Sequence, residues 1–171
     1  MSDQQAVVGS ISAIKQGPRA LRLYMQMCAK CGTCAAVCPV YYGKPDPKYN
    51  PANRSDLIRK LYQRHSTLSG RLLGRLAGAR DFDQAEFEEW RDSFYSCTAC
   101  RRCAQFCPFG IDNSVVTRKA RTILDTLGRT PARLQKVVKT ALDTRNTDGA
   151  SAEAFKAAIA FIEEEMRDEH G

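Results

Sequence analysis

Two stretches of this chain, CAKCGTCAAVCP from Cys28 to Pro39 and CTACRRCAQFCP from Cys97 to Pro108, share one pattern, C-x2-C-x2-C-x3-C-P. Together they contain all eight cysteines of the 171 residues. Small secreted scaffolds join such cysteines as disulfides. Here the opening residues MSDQQAVVGSISAIKQGPR carry neither a basic start nor an unbroken apolar run, so no secretory signal is expected. Aliphatic residues suffice for an ordinary core, and no apolar stretch approaches the roughly 18 residues of a membrane helix. The expectation is a cytoplasmic chain without direct membrane insertion, whose cysteines serve as thiolate ligands in a reducing compartment.

Triplets followed by a lone cysteine do not suit a mononuclear site. C-x2-C also serves zinc, but tetrahedral zinc takes its cysteines in pairs. A 4Fe-4S cube needs four thiolates arranged around it. Three at this spacing wrap one loop around a face of the cube and turn backbone N–H groups towards its sulfides. Pro39 and Pro108 fix the chain direction after the fourth cysteine and carry no N–H in need of a partner. Two 4Fe-4S clusters are therefore the expected cofactors. Both runs are similar, residue for residue, to those of two-cluster ferredoxins, in which the fourth cysteine ligates the other cluster. That resemblance implies one cluster held by Cys28, Cys31, Cys34 and Cys107, and another held by Cys97, Cys100, Cys103 and Cys38. The exchange would join segments about 60 residues apart and couple cluster assembly to folding.

Arg101 and Arg102 stand between ligands of the second run, where the first has Gly32 and Thr33. Positive charge favours the reduced cluster, so the Cys97 cluster is expected to have the higher potential. Nothing else resembles a catalytic centre. His65 falls on the polar side of a basic helix and His170 in the last two residues, and neither a glycine-rich dinucleotide loop nor a Walker-type phosphate loop occurs. Electrons must then arrive from, and leave to, other proteins.

The periodicity around the runs is helical, and no alternation of period two argues for a sheet, so the fold class expected is all-α. Leu21, Met25 and Cys28 predict a short helix into the first run. Pro45, Pro47 and Pro51 interrupt helix after it, and Asn53 or Ser55 is expected to cap the next helix, with Leu57, Ile58, Leu61 and Tyr62 on one stripe. Gly70, Gly74 and Gly78 have the spacing of close helix packing, but a flexible link is the reading preferred there. Phe87, Trp90 and Phe94 mark a helix ending at the second run, with the tryptophan expected near that metal site. Asp112 should cap a helix reaching Leu127 and Gly128, and Thr130 with Pro131 should start another. After a TRNTDGAS linker, Phe155, Ile159, Ile162 and Met166 form one stripe of a final helix, either packed on its own domain or docked on a partner. The organisation read is a helical ferredoxin domain over residues 1–128 and a helical extension or docking arm over 129–171.

Charge is unevenly spread within a net +7. Seven Arg and Lys face one acid, Asp56, from Arg54 to Arg80, whereas six acids face Lys156 and Arg167 from Ala152 to Gly171. The basic residues lie along helices without the interleaved aromatics of a single-strand platform. An acidic protein partner is favoured over nucleic acid, the alternative being a solvated face.

CAKCGTCAAVCP, NRSDLIRKLY, FEEWRDSFYSCTACRRCAQFCP and the FGID that opens the next helix resemble, over about Leu21 to Leu127, the helical ferredoxin domain in the C-type subunits of heterodisulfide reductase and in their relatives. Those relatives include iron-sulfur subunits of glycerol-3-phosphate dehydrogenase, sulfite-reduction complexes and fumarate reductase. The chain contains no C-x4-C-x2-C run and no adjacent cysteine pair, which narrows the likeness to a free-standing C-type chain. The resemblance implies an electron relay between a flavin-containing partner of the A type, and a catalytic partner of the B type that handles a disulfide or other sulfur compound. The family includes a form from sulfur-oxidising bacteria, which this reading favours. A diffusible ferredoxin-like carrier and the iron-sulfur subunit of a related dehydrogenase are the alternatives, and a cluster-bearing nucleic-acid protein is a third class.

Overall fold

The computed structural model describes residues 3–80 and 87–170. Helices and turns account for all regular structure among these residues, with no strand, as expected of an all-α chain. The chain divides into two units, Met1–Arg129 and Thr130–Gly171.

The first unit opens with α1 (Asp3–Gln16), a helix beyond those that the periodicity around the cysteine runs predicts. Its basis is visible in retrospect: Val7, Ile11 and Ile14 follow at spacings of four and three and are 1 %, 0 % and 3 % exposed. Next comes α2 (Arg19–Tyr24), which buries Leu21 and caps at a buried Met25, short of Cys28. Two small helices flank the end of the first cysteine run, α3 (Thr33–Ala36) and α4 (Pro39–Gly43). A 3-10 turn at Pro47–Tyr49 leads into α5 (Pro51–Ser66).

The cap of α5 corrects the expectation of Asn53 or Ser55. Asn50 is the cap, its Oδ1 accepting from the Ala52 N–H at 2.9 Å, and Pro51 occupies the first turn. Proline's fixed φ suits that position and its missing N–H would be unpaired there anyway, so Pro51 starts the helix instead of delaying it. Beyond α5, the stretch preferred as a flexible link is α6 (Leu68–Leu73) followed by a 3-10 turn at Gly74–Ala77. Gly70 explains its position: a Cβ there would lie 2.1 Å from the Gln63 carbonyl oxygen, so only glycine lets the two helices meet this closely.

Three more helices complete the unit: α7 (Phe87–Tyr95), α8 (Arg102–Gln105) and α9 (Asn113–Thr126). Asp112 caps α9 as expected, its carboxylate accepting from the N–H groups of Ser114 and Val115, and Gly128 follows the helix at φ 67°. One core joins α1, α2, α5, α7 and α9 through Ile11, Met25, Leu61, Phe94 and Val116. Trp90 belongs to this core, edge-on to Phe94 at 5.9 Å.

On α5, Asp56 gathers Lys30 at 3.0 Å, Arg59 at 3.0 Å and Lys60 at 3.2 Å. Burial opposes its charged form, but hydrogen bonds from Lys30 and Lys60 outweigh burial and hold its carboxyl below the ordinary value. Through Lys30 this network ties the first cysteine run to α5.

The second unit consists of α10 (Ala132–Thr144) and α11 (Ala152–His170). The cap of α10 is Pro131 and not Thr130, and no side-chain cap bond forms there, because extended backbone at Pro131 starts the helix one residue later. The apolar stripes expected on both helices are exposed, Val138 by 50 % and Phe155 by 63 %. The side chain of His170 lies outside the described residues. No helix of the described residues is long and apolar enough to cross a membrane.

The core role of α1 is testable. Ile11→Ala should lower stability by about 2–5 kcal/mol in denaturant unfolding, the range for truncating a buried aliphatic side chain. Leu76→Ala, at a position 91 % exposed, should change it by no more than about 0.5 kcal/mol. Equal effects at the two positions would contradict this placement of α1.

Candidate iron-sulfur centres

Both cysteine runs fold into loops with left-handed backbone at matching positions. Lys30 (φ 53°) and Gly32 (φ 84°) occupy the first run; Ala99 (φ 55°) and Arg101 (φ 63°) occupy the second. Three of these four carry side chains, which disfavour the conformation, and such strain persists where surrounding structure imposes it. Left-handed residues within a turn gather successive N–H groups on one side, an arrangement that suits an anion. The Ala99 N–H donates to Cys97 Sγ at 3.4 Å.

Two cavities of nearly equal size lie against these loops. One is lined by Cys28, Cys31, Cys34 and Cys107. The other is lined by Cys38, Cys97, Cys100 and Cys103. Each draws three cysteines from one run and the fourth from the other. Among the described residues, no three His, Cys, Asp or Glu side chains lie close enough to share a single metal ion.

The starts of α5 and α9 divide between the cavities. Ala52 and Asn113 line the first, whereas Pro51 and Ser114 line the second. A buried hydrogen bond, Ser55 Oγ donating to Asn113 Oδ1 at 2.6 Å, pins the two helices together here. The positive ends of two helix dipoles thus meet beside both cavities, favouring negative charge in each. At the α9 cap, Asp112 also accepts from Arg101 Nε at 3.0 Å, which fastens the second cysteine loop. Arg121 adds hydrogen bonds to the carbonyls of Phe94 and Cys97.

Thiol electrostatics repeat between the runs. Burial pushes the Cys34 thiol up, and burial together with the nearby Cys97 and Cys34 pushes Cys103 to about 11. The middle cysteines are exposed, and hydrogen bonding to Thr33 lowers Cys31 while the Arg102 backbone lowers Cys100. Iron takes thiolates, so the thiols release their protons on loading, the exposed pair more readily than the buried pair.

The residues present fit anionic, thiolate-ligated 4Fe-4S groups. Besides the eight thiols and the helix ends, the second cavity is lined by Arg54, whose side chain is among the most deeply buried in the chain. Its Nε–H is buried with no hydrogen-bond partner. A cation so placed is costly without an anion nearby. Read by composition, Arg54 is one of seven basic residues on a surface for an acidic partner; its position three residues after Pro51, and so on the same side of α5 as the first turn, is the signal that the sequence offers. Arg101 and Arg102 line the second cavity as well, and Arg101 is engaged with Asp112. Trp90, expected near the second site, lies in the helical core and does not line either cavity.

The sequence signature of the 4Fe-4S dicluster domain matches residues 24–111. The chain is similar to the Hdr-like menaquinol oxidoreductase iron-sulfur subunit of Archaeoglobus profundus, with 32% identity over 96% of this chain and 30% of that protein. It is 35% identical to the Hdr-like menaquinol oxidoreductase iron-sulfur subunit 2 of Archaeoglobus fulgidus, over 90% of this chain and 28% of that one. Identity to the D-type chain of the dihydromethanophenazine:CoB--CoM heterodisulfide reductase of Methanosarcina acetivorans is 31%, over 58% of this chain and 24% of that protein. The chain therefore spans less than a third of the length of these relatives. No solved structure matches. On this signature, carried by its twin cysteine loops, the chain belongs to the 4Fe-4S dicluster domain family and is a homologue of iron-sulfur subunits of heterodisulfide reductase-like complexes.

Proposed function

We propose that this chain relays electrons inside an oxidoreductase complex of the heterodisulfide reductase type. In this reading Cys28, Cys31, Cys34 and Cys107 hold one 4Fe-4S cluster, and Cys38, Cys97, Cys100 and Cys103 hold a second. The observation that carries it is the pair of adjoining cavities, each bordered by a triplet and the fourth cysteine of the opposite run. Such clusters, when bound, supply one-electron redox centres. The chain's own part is to place thiolates, orient N–H groups and helix ends towards negative charge, and limit the approach of water. Tyr42 and Phe106, exposed around Cys38, and Phe109, exposed beside Cys107, offer apolar surface where a partner can approach.

The partners we assign are a flavin-containing protein of the A type and a catalytic protein of the B type, in the cytoplasm, with a sulfur compound or disulfide as terminal substrate. Homology to subunits of Hdr-like complexes supports partner subunits in general. Two of the relatives are named as menaquinol oxidoreductase subunits, so a quinol-linked version of the complex is the variant to set beside the sulfur-oxidising one. The unit Thr130–Gly171, with its exposed apolar stripes, is assigned to docking on those partners.

Single substitutions test the ligand sets. Cys31→Ser and Cys107→Ser should disturb the same low-temperature EPR signal of the reduced protein, and Cys100→Ser and Cys38→Ser the other. The opposite grouping, Cys38 with Cys31, would contradict the exchange. For the docking arm, deleting residues 152–171 should leave iron and sulfide content unchanged while abolishing co-purification with the partner subunits; loss of the clusters would assign α11 to the fold of the iron-binding domain.

A further inference from the structure

The buried guanidinium of Arg54 has no role in holding a thiolate, yet it is the most confined charge near either cavity. It is 2 % exposed and lines the cavity of Cys38, Cys97, Cys100 and Cys103. One Nη donates to the Tyr49 carbonyl at 3.0 Å. Nε has no hydrogen-bond partner, and among the described residues no carboxylate pairs with the group.

Other cations beside the cysteines are placed differently. Lys30, which lines the opposite cavity, is 55 % exposed and paired with Asp56 at 3.0 Å. Arg101 is 70 % exposed and paired with Asp112 at 3.0 Å. Water screens both, and a carboxylate offsets each; Arg102, which also lines the second cavity, is exposed to water. Arg54 is neither screened nor offset, so its field acts through a low-dielectric interior. The two cavities are thus alike in cysteines, helix ends and left-handed turns, and unlike in this one buried charge.

We propose that Arg54 sets the two clusters apart in potential by stabilising the reduced form of the cluster held by Cys38, Cys97, Cys100 and Cys103. The proposal rests on the two-cluster reading above. Reduction adds one electron, delivered by the flavoprotein partner or by dithionite in a titration, and no proton is taken up. It leaves the thiolate-ligated cube with one more negative charge, which an uncompensated guanidinium favours. Arg54 thereby takes the role that the sequence suggests for Arg101 and Arg102, both of which are exposed and the first of which is offset by Asp112. It is a positioning residue for the electron, making this site the one where the electron rests before transfer.

The test is a redox titration followed by EPR on the full chain, with the signal of this cluster identified by its loss in Cys100→Ser. Arg54→Gln should lower the one-electron reduction constant of that signal at least about tenfold, equivalent to ~59 mV, and leave the other signal unchanged. Arg54→Lys should keep most of the wild-type value, and Arg101→Gln should shift it less than Arg54→Gln. Loss of this cluster in Arg54→Gln would assign Arg54 to cluster assembly and overturn its role in setting the potential. An unchanged potential in Arg54→Gln, equal shifts in both signals, or equal effects of Lys and Gln would overturn the proposal. Iron and sulfide analysis of the wild type separates these outcomes from failure of the two-cluster reading, since a chain without two clusters yields no pair of signals to compare.

Discussion

Everything in the larger unit depends on holding two loops, about 60 residues apart in the chain, against the starts of two neighbouring helices. The loops contain backbone that few residues adopt willingly, and the thiols they present are both numerous and partly buried. The helix starts answer both demands. Ser55 and Asn113 lock α5 to α9; Pro51, Ala52, Asn113 and Ser114 then border the two cavities alternately; and the dipoles of both helices point positive charge at that junction. Two ion pairs complete the arrangement, Lys30 with Asp56 and Arg101 with Asp112, each fastening one loop to one of these helices.

The remaining helices serve as backing. Ile11 of α1, Met25 after α2 and Phe94 of α7 are wholly buried against α5 and α9, which keeps the two helix starts from moving apart. In such a design the hydrophobic core and the cysteine loops stabilise one another: the core fixes where the fourth cysteines fall, and occupied clusters would close the loops over segments distant in sequence. The near-equality of the two cavities, with matched left-handed positions and matched exposed and buried thiols, gives the site an approximate internal symmetry that the sequence repeat announces. Charge breaks that symmetry, through Arg54.

Much of this is legible from residue types alone. The cysteine runs state the chemistry because spacing and proline placement are local, and Asp112 and Gly128 mark the ends of α9 because capping is local too. Asn50 escapes notice as a cap when Pro51 is read as a barrier to helix, although that proline serves as a start. Helix α1 goes unread although Val7, Ile11 and Ile14 carry a plain helical spacing, and the corner after α5 reads as loose because the tight approach of Gly70 to Gln63 is visible only in three dimensions. Arg54 cannot be singled out among seven basic residues by composition. Which one turns inward depends on the register set by the cap, and a cap misplaced by a few residues rotates the helix face by most of a turn.

The most direct measurement is iron and acid-labile sulfide per chain in anaerobically purified protein, with low-temperature EPR after reduction. About eight irons and as many sulfides are expected, as two four-iron clusters require, with reduced signals that show coupling between neighbouring centres. Zinc in place of iron, or about four irons with one isolated signal, would contradict that expectation.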